Sequence, residues 1–109
     1  MVKPVAGEVV VIPFPKTDST GGKRRPALVI EDLPGPDLIL CQITSRAHHD
    51  AFSVPLDTSD CERGELGQPC FIRSQRLFTL EHHLILNSVG KVQAAKLDEV
   101  LRKVREFFN

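Results

Sequence analysis

The sequence has no tryptophan and no tyrosine, and its six phenylalanines are its only aromatics. Proteins that hold single-stranded nucleic acid commonly stack bases on aromatic rings, so such a platform has few candidates, and Phe14, Phe52, Phe71 and Phe78 read as core. The three cysteines, Cys41, Cys61 and Cys70, form an odd set with no C-x-x-C pair. That argues against a disulfide framework and a zinc knuckle and for a reducing, cytoplasmic setting. There is no net charge, because 14 Lys and Arg balance 14 Asp and Glu. Any nucleic-acid partner must therefore be met by a local basic patch. No apolar run is long enough for a membrane span or a signal peptide, since Gly7, Glu8 and Pro13 interrupt the apolar start. P-loop, dinucleotide-binding and G-x-S-x-G signatures are also missing, which disfavours the usual cofactor enzymes, and no cofactor is expected.

What is present fits one mainly β domain spanning residues 1–109. With 41% hydrophobic residues among 109, the chain can build one modest core. EVVVIPF (Glu8 to Phe14) is a β-branched run, with Pro13 marking an edge or bulge near its end. PKTDSTGGK reads as a loop, followed by a strand over Pro26 to Glu31. Asp37 to Thr44, Ala51 to Leu56 and the segment CFIRSQ read as further strands, and TSDCERGELGQP as a polar loop between the last two. Short strands at this spacing suggest a barrel or sandwich. Leu97, Val100, Leu101, Val104, Phe107 and Phe108 then recur with helical period, so a C-terminal helix is expected, with Glu99 and Lys103 paired on its outer face.

Three groups of residues could carry chemistry. Lys23, Arg24 and Arg25 lie between Gly21-Gly22 and Pro26. The glycines let backbone approach an anion, and an arginine at a strand's start can present its fork to phosphate. A solvated charge run at a loop tip is the competing reading. Thr44, Ser45 and Arg46 close the third strand, where a hydroxyl and a guanidinium could meet the same phosphodiester; ordinary turn chemistry explains them too. Strand alternation would put only one of Thr44 and Ser45 on the site's side. His48-His49 and His82-His83 are adjacent pairs that cannot easily chelate one ion, and no ligand spacing accompanies them, so no metal is expected. His48 or His49 could act as general base or acid, because imidazole titrates near neutrality.

The order of blocks is more specific than any one of them. GEVVVIPFP, then KRRPALVI, LCQITS, FIRSQRLFTL and VGKV before a terminal helix together resemble the MazF/PemK (Kid) toxin family over nearly the whole chain. The resemblance implies an SH3-like barrel of short antiparallel strands with a C-terminal α-helix. It also implies a homodimer and an endoribonuclease restrained by a cognate antitoxin. By the same resemblance Arg25 matches the catalytic arginine, Thr44 the residue that stabilises the reacting phosphate, and Arg73 an arginine lining the RNA groove. At Gln75 some members carry an aspartate implicated in proton transfer. Glutamine cannot serve as a base, so the proton is taken elsewhere, with His48 or His49 as candidates, or cleavage is slower. The implied reaction is metal-independent cutting of single-stranded RNA to 2',3'-cyclic phosphate and 5'-hydroxyl ends. Lys23, Arg24, Ser45, Arg46, Arg73 and Gln75 are expected to contact RNA. Two alternatives remain: a noncatalytic nucleic-acid or protein-binding barrel, and a gyrase poison of the CcdB kind, although that group depends on a tryptophan this chain lacks.

Overall fold

The computed structural model describes residues 2–14, 23–46 and 50–108. Seven antiparallel strands and one helix occupy them: β1 (Glu8–Phe14), β2 (Lys23–Asp32), β3 (Asp37–Thr44), β4 (Ser53–Leu56), β5 (Cys61–Gly64), β6 (Cys70–Glu81), β7 (Asn87–Val92) and α1 (Ala94–Glu106). The strands form one sheet in the order β4-β6-β3-β2-β1-β7-β5. Val54 of β4 and Val92 of β7, from opposite sides of that order, share one apolar cluster. The sheet is therefore curled into a half-barrel, the mainly β fold with a C-terminal helix expected from the sequence.

Strand alternation sends successive side chains to the two faces. Val9, Leu28, Cys41, Ile43 and Ile72 point inward, where Val100 of α1 joins them and Leu97, Leu101 and Val104 pack from the same helix. Their neighbours Val10, Ile12, Ala27, Val29, Leu38 and Leu40 form a second cluster on the outer face, with Ile85 packed on it. Each fully buried side chain of this size contributes about 1.5–3 kcal/mol, so both faces of the central strands stabilise the sheet. Cys41 is a core residue, and burial pushes its thiol up to about 12. Burial, with Asp60 and Asp57 nearby, also raises the Cys61 thiol, so neither is a ready thiolate.

Several expectations need correction. Strand β2 begins at Lys23, so Arg24 and Arg25 are ladder residues opposite Pro13 and Ile12 and not the tip of a loop. The supposed loop TSDCERGELGQP contains a 3-10 turn (Thr58–Asp60) and the edge strand β5. That strand was hidden by its charge, and its pairing with β7 depends on two glycines. A Cβ on Gly64 would lie 2.3 Å from the Val89 carbonyl oxygen, and one on Gly90 would lie 2.8 Å from that of Arg63. Pro13 fits its expected role, because β7 pairs with β1 only as far as Val11. In α1, Glu99 pairs with Lys96 at 3.0 Å, a different partner from Lys103. Lys96 also donates to the Pro55 carbonyl at 3.0 Å, tying the helix to β4. Phe108 is 79% exposed and Phe52 37%, so neither is core. No described helix is long and apolar enough to cross a membrane.

Candidate functional site

Two rows of cross-strand neighbours define a polar area on the outer face of the half-barrel. In the first, Val10 pairs with Ala27, Ala27 with Gln42, Gln42 with Arg73 and Arg73 with Ser53. In the second, Ile12 pairs with Arg25, Thr44 with Phe71 and Phe71 with Pro55. Carrying the Ala27–Gln42 register two residues further sets Arg25 opposite Thr44. Because cross-strand partners share a face, Arg25, Thr44 and Arg73 all project from the same side of three adjacent strands. Strands lie about 4.8 Å apart and rise about 3.4 Å per residue. Arg25 and Arg73 are thus roughly 10 Å apart across the sheet and about 7 Å along it, a span that two extended guanidinium side chains can close onto one phosphate.

Thr44 ends β3, and its Oγ1 accepts the Arg46 N–H at 3.2 Å. This is the turn chemistry that such a residue commonly performs. It does not use up the hydroxyl, which has one proton to donate besides the lone pairs that accept. The turn fixes the oxygen and leaves its proton for another acceptor. Ser45 and Arg46 lie beyond the strand and are exposed. Arg24, by alternation, faces away from Arg25; it is exposed, and both residues border a cleft of about 270 Å³ with Val9, Ile43 and Glu65. Gly21, Gly22, His48 and His49 lie outside the described residues, as does the Lys23 side chain.

Arg73 owes its surroundings to an irregularity in β6. Cys41 pairs with Leu77, yet the next residue, Gln42, pairs with Arg73. Ser74, Gln75 and Arg76 are therefore a three-residue bulge that re-aims the strand. Regular alternation would put Arg73 and Arg76 on opposite faces, but both line a cleft of about 480 Å³ with Gln42, Phe78, Leu80 and Ile12. Arg76 was not anticipated from the sequence; the R-x-x-R spacing carries no such meaning on a regular strand. Within the bulge Ser74 is fully buried and donates to the Phe52 carbonyl. Arg73 Nε and Gln75 Oε1 are buried with no hydrogen-bond partner among the described residues. A buried donor and acceptor left unmatched cost free energy that a ligand with complementary groups would recover.

One carboxylate borders these cations. Asp50 Oδ1 accepts from the backbone N–H groups of Phe52 at 2.9 Å and Ser53 at 2.8 Å. Its Oδ2 lies 3.7 Å from Arg73 Nη2. The Phe52 N–H is the chief reason the Asp50 carboxyl is held below its ordinary range; desolvation opposes it, and Ser53 and Arg73 add to the lowering. Asp50 is ionised near neutrality and gives Arg73 an internal counter-charge. No group of three or more His, Cys, Asp or Glu suited to a metal ion occurs among the described residues.

The chain has clear relatives. A family profile described as PemK-like, MazF-like toxin of type II toxin-antitoxin system matches residues 6–108. Among curated proteins none matches significantly. Among solved structures, MazE-MazF from Deinococcus radiodurans is similar with a TM-score of 0.79 at 24% identity, covering 99% of this chain and 97% of that one. A mycobacterial endoribonuclease in complex with its cognate antitoxin is similar at a TM-score of 0.72 and 16% identity, covering 96% and 94%. The Mycobacterium tuberculosis toxin MazF-mt6 follows at 0.69 and 16%, covering 91% and 95%.

Proposed function

We propose, for a chain that belongs to the family of PemK-like, MazF-like toxins of type II toxin-antitoxin systems, that it is an endoribonuclease cutting single-stranded RNA without a metal. The observation that supports this reading is the row Ala27–Gln42–Arg73, whose register, carried two residues further, would bring Arg25 opposite Thr44 on the face of Arg73. In the reaction, the ribose 2'-oxygen attacks the adjacent phosphorus and the bond to the 5'-oxygen breaks. The products are a 2',3'-cyclic phosphate and a 5'-hydroxyl, one proton leaving the 2'-oxygen to the base and one reaching the departing 5'-oxygen from an acid or from water. Charge develops on the nonbridging oxygens of the five-coordinate phosphorus. Arg25 and the Thr44 hydroxyl donate to those oxygens, while Arg73 binds the same or the neighbouring phosphate. Lys23, Arg24, Ser45, Arg46 and Gln75 make the remaining RNA contacts. Arg25, Thr44, Arg73 and Gln75 do not take the 2'-proton; we assign that step to His48 or His49, with the ionised Asp50 beside Arg73 as the other candidate.

The partners follow from the family. The Deinococcus structure is a MazE-MazF complex and the mycobacterial one holds a cognate antitoxin. We assign this chain an antitoxin of the same class, and a homodimeric state. Gln75 favours one competing reading, a barrel that binds RNA without cutting it.

Incubation with a mixed-sequence RNA in EDTA separates the two. Fragments with 5'-hydroxyl ends are expected, and none from an RNA with a 2'-deoxy nucleotide 5' to the cut or from Arg25→Ala. Binding without cutting would establish the noncatalytic reading, and cutting of the 2'-deoxy RNA would rule out the proposed chemistry.

A further inference from the structure

Phe71 occupies the position opposite Thr44 in the site's second row. Alternation along β6 puts it on the same face as Arg73, while its neighbours Cys70 and Ile72 turn inward to the main core. It is half-buried. Among the described residues it joins neither apolar cluster, nor the ring contacts that link Phe52, Phe107 and Phe108. A large aromatic side chain with no core to fill, on the working face of a sheet, presents a π surface to whatever binds there.

We infer that Phe71 is the stacking platform for the base of a nucleotide next to the cleaved phosphate. The inference rests on the endoribonuclease reading. Cross-strand partners on one face hold their Cβ atoms about 4.5–5.5 Å apart. A phosphate held at the Thr44 hydroxyl therefore leaves the attached nucleoside over the next strand, at Phe71. Bases of single-stranded RNA are free to splay out and stack on aromatic rings, and every base has a π face, so the platform holds the chain in place without fixing its sequence. Stacking of one base on one ring corresponds to about 5-fold to 100-fold in affinity. With no Trp or Tyr in the chain, no stronger platform competes.

The test compares the wild type, Phe71→Leu and Phe71→Trp on a short single-stranded RNA containing a mapped cut, and on RNAs with an abasic site at either flanking nucleotide. Leucine keeps the apolar contacts and removes the ring. The expected result is a kcat/KM for Phe71→Leu lower by about 5-fold to 100-fold, mostly through KM, with tryptophan restoring it. One abasic position should weaken the wild type by a similar factor and leave Phe71→Leu unchanged. If Phe71→Leu matches the wild type, or if both lose equally at each abasic position, the inference is overturned. Affinities for an RNA with a 2'-deoxy nucleotide at the cut read stacking apart from cutting. A protein that binds with the ring-dependent and base-dependent difference but never cuts would refute the endonuclease reading alone. One that cuts with no such difference would refute stacking alone, and one that neither binds nor cuts would remove both.

Discussion

Thr44 offers the sharpest test, because its turn role and its proposed catalytic role separate in size. Replacing it with valine keeps the shape of the side chain and removes the hydroxyl. Structurally the loss is one hydrogen bond, the 3.2 Å contact from the Arg46 N–H. That bond lies at an exposed strand end, where water can replace Thr44 as acceptor. Its removal should cost no more than about 1 kcal/mol, a fall in Tm of less than about 8 °C for a domain of this size. On the proposed mechanism the loss is also a fixed donor to the developing phosphorane charge, which in other enzymes costs about 100-fold to 1000-fold, or about 2.7–4 kcal/mol. Thr44→Val should therefore remain folded, with a small change in Tm by thermal denaturation. Its single-turnover rate on an excess-enzyme RNA assay should fall by about two to three orders of magnitude. Thr44→Ser keeps an oxygen and a proton at the same place and should retain most of the rate. A Thr44→Val protein that cuts within a few-fold of the wild type would leave the residue as strand-end turn chemistry only.

Asp50→Asn keeps the acceptor that caps Phe52 and Ser53 but removes the charge beside Arg73. Tighter RNA binding at low salt is expected, converging with the wild type as salt screens the difference; equal affinity at low salt would count against an Arg73–phosphate contact. Gly90→Ala places a methyl 2.8 Å from the Arg63 carbonyl oxygen, and an increase of about 1–3 kcal/mol in strain should lower the denaturant midpoint; an unchanged midpoint would show that β5 separates freely from β7. The Asp57 carboxyl is held below its ordinary range by Ser59. Its contribution is present above that range and is lost as pH falls through it toward the lower folded value, so Asp57→Asn should flatten the acid limb of a Tm-against-pH curve.

The elements that the sequence revealed are those whose side-chain period matches their packing. β1 and β3 alternate between two apolar clusters and were readable over their whole length, and α1 shows its inner face at Leu97, Val100, Leu101 and Val104. β5 and β7 are not readable as strands from pattern, since CERG buries no residue and NSVGKV only Gly90 and Val92, and their pairing depends on the backbone approach at Gly64 and Gly90. Arg25 and Thr44 stood out as residue types, but their pairing is a property of register, which depends on partners distant in sequence. The bulge at Ser74 to Arg76 is further from view, because an insertion in one strand shows only against its neighbour. Phe71 was misread as core because aromaticity alone does not say which side of a strand is closed.

The two outermost strands of the sheet have a consequence for partners. β4 and β5 have four residues each. β4 carries Pro55, which has no N–H to offer, and β5 ends at Gly64 with a φ of 88°. Short, interrupted borders such as these are poor templates for an incoming strand. A second polypeptide, antitoxin or twin, gains little by extending the sheet sideways. One that lies across the strands, over the face where the arginines are displayed, would meet the surface proposed for RNA, so the two kinds of recognition would compete for shared ground.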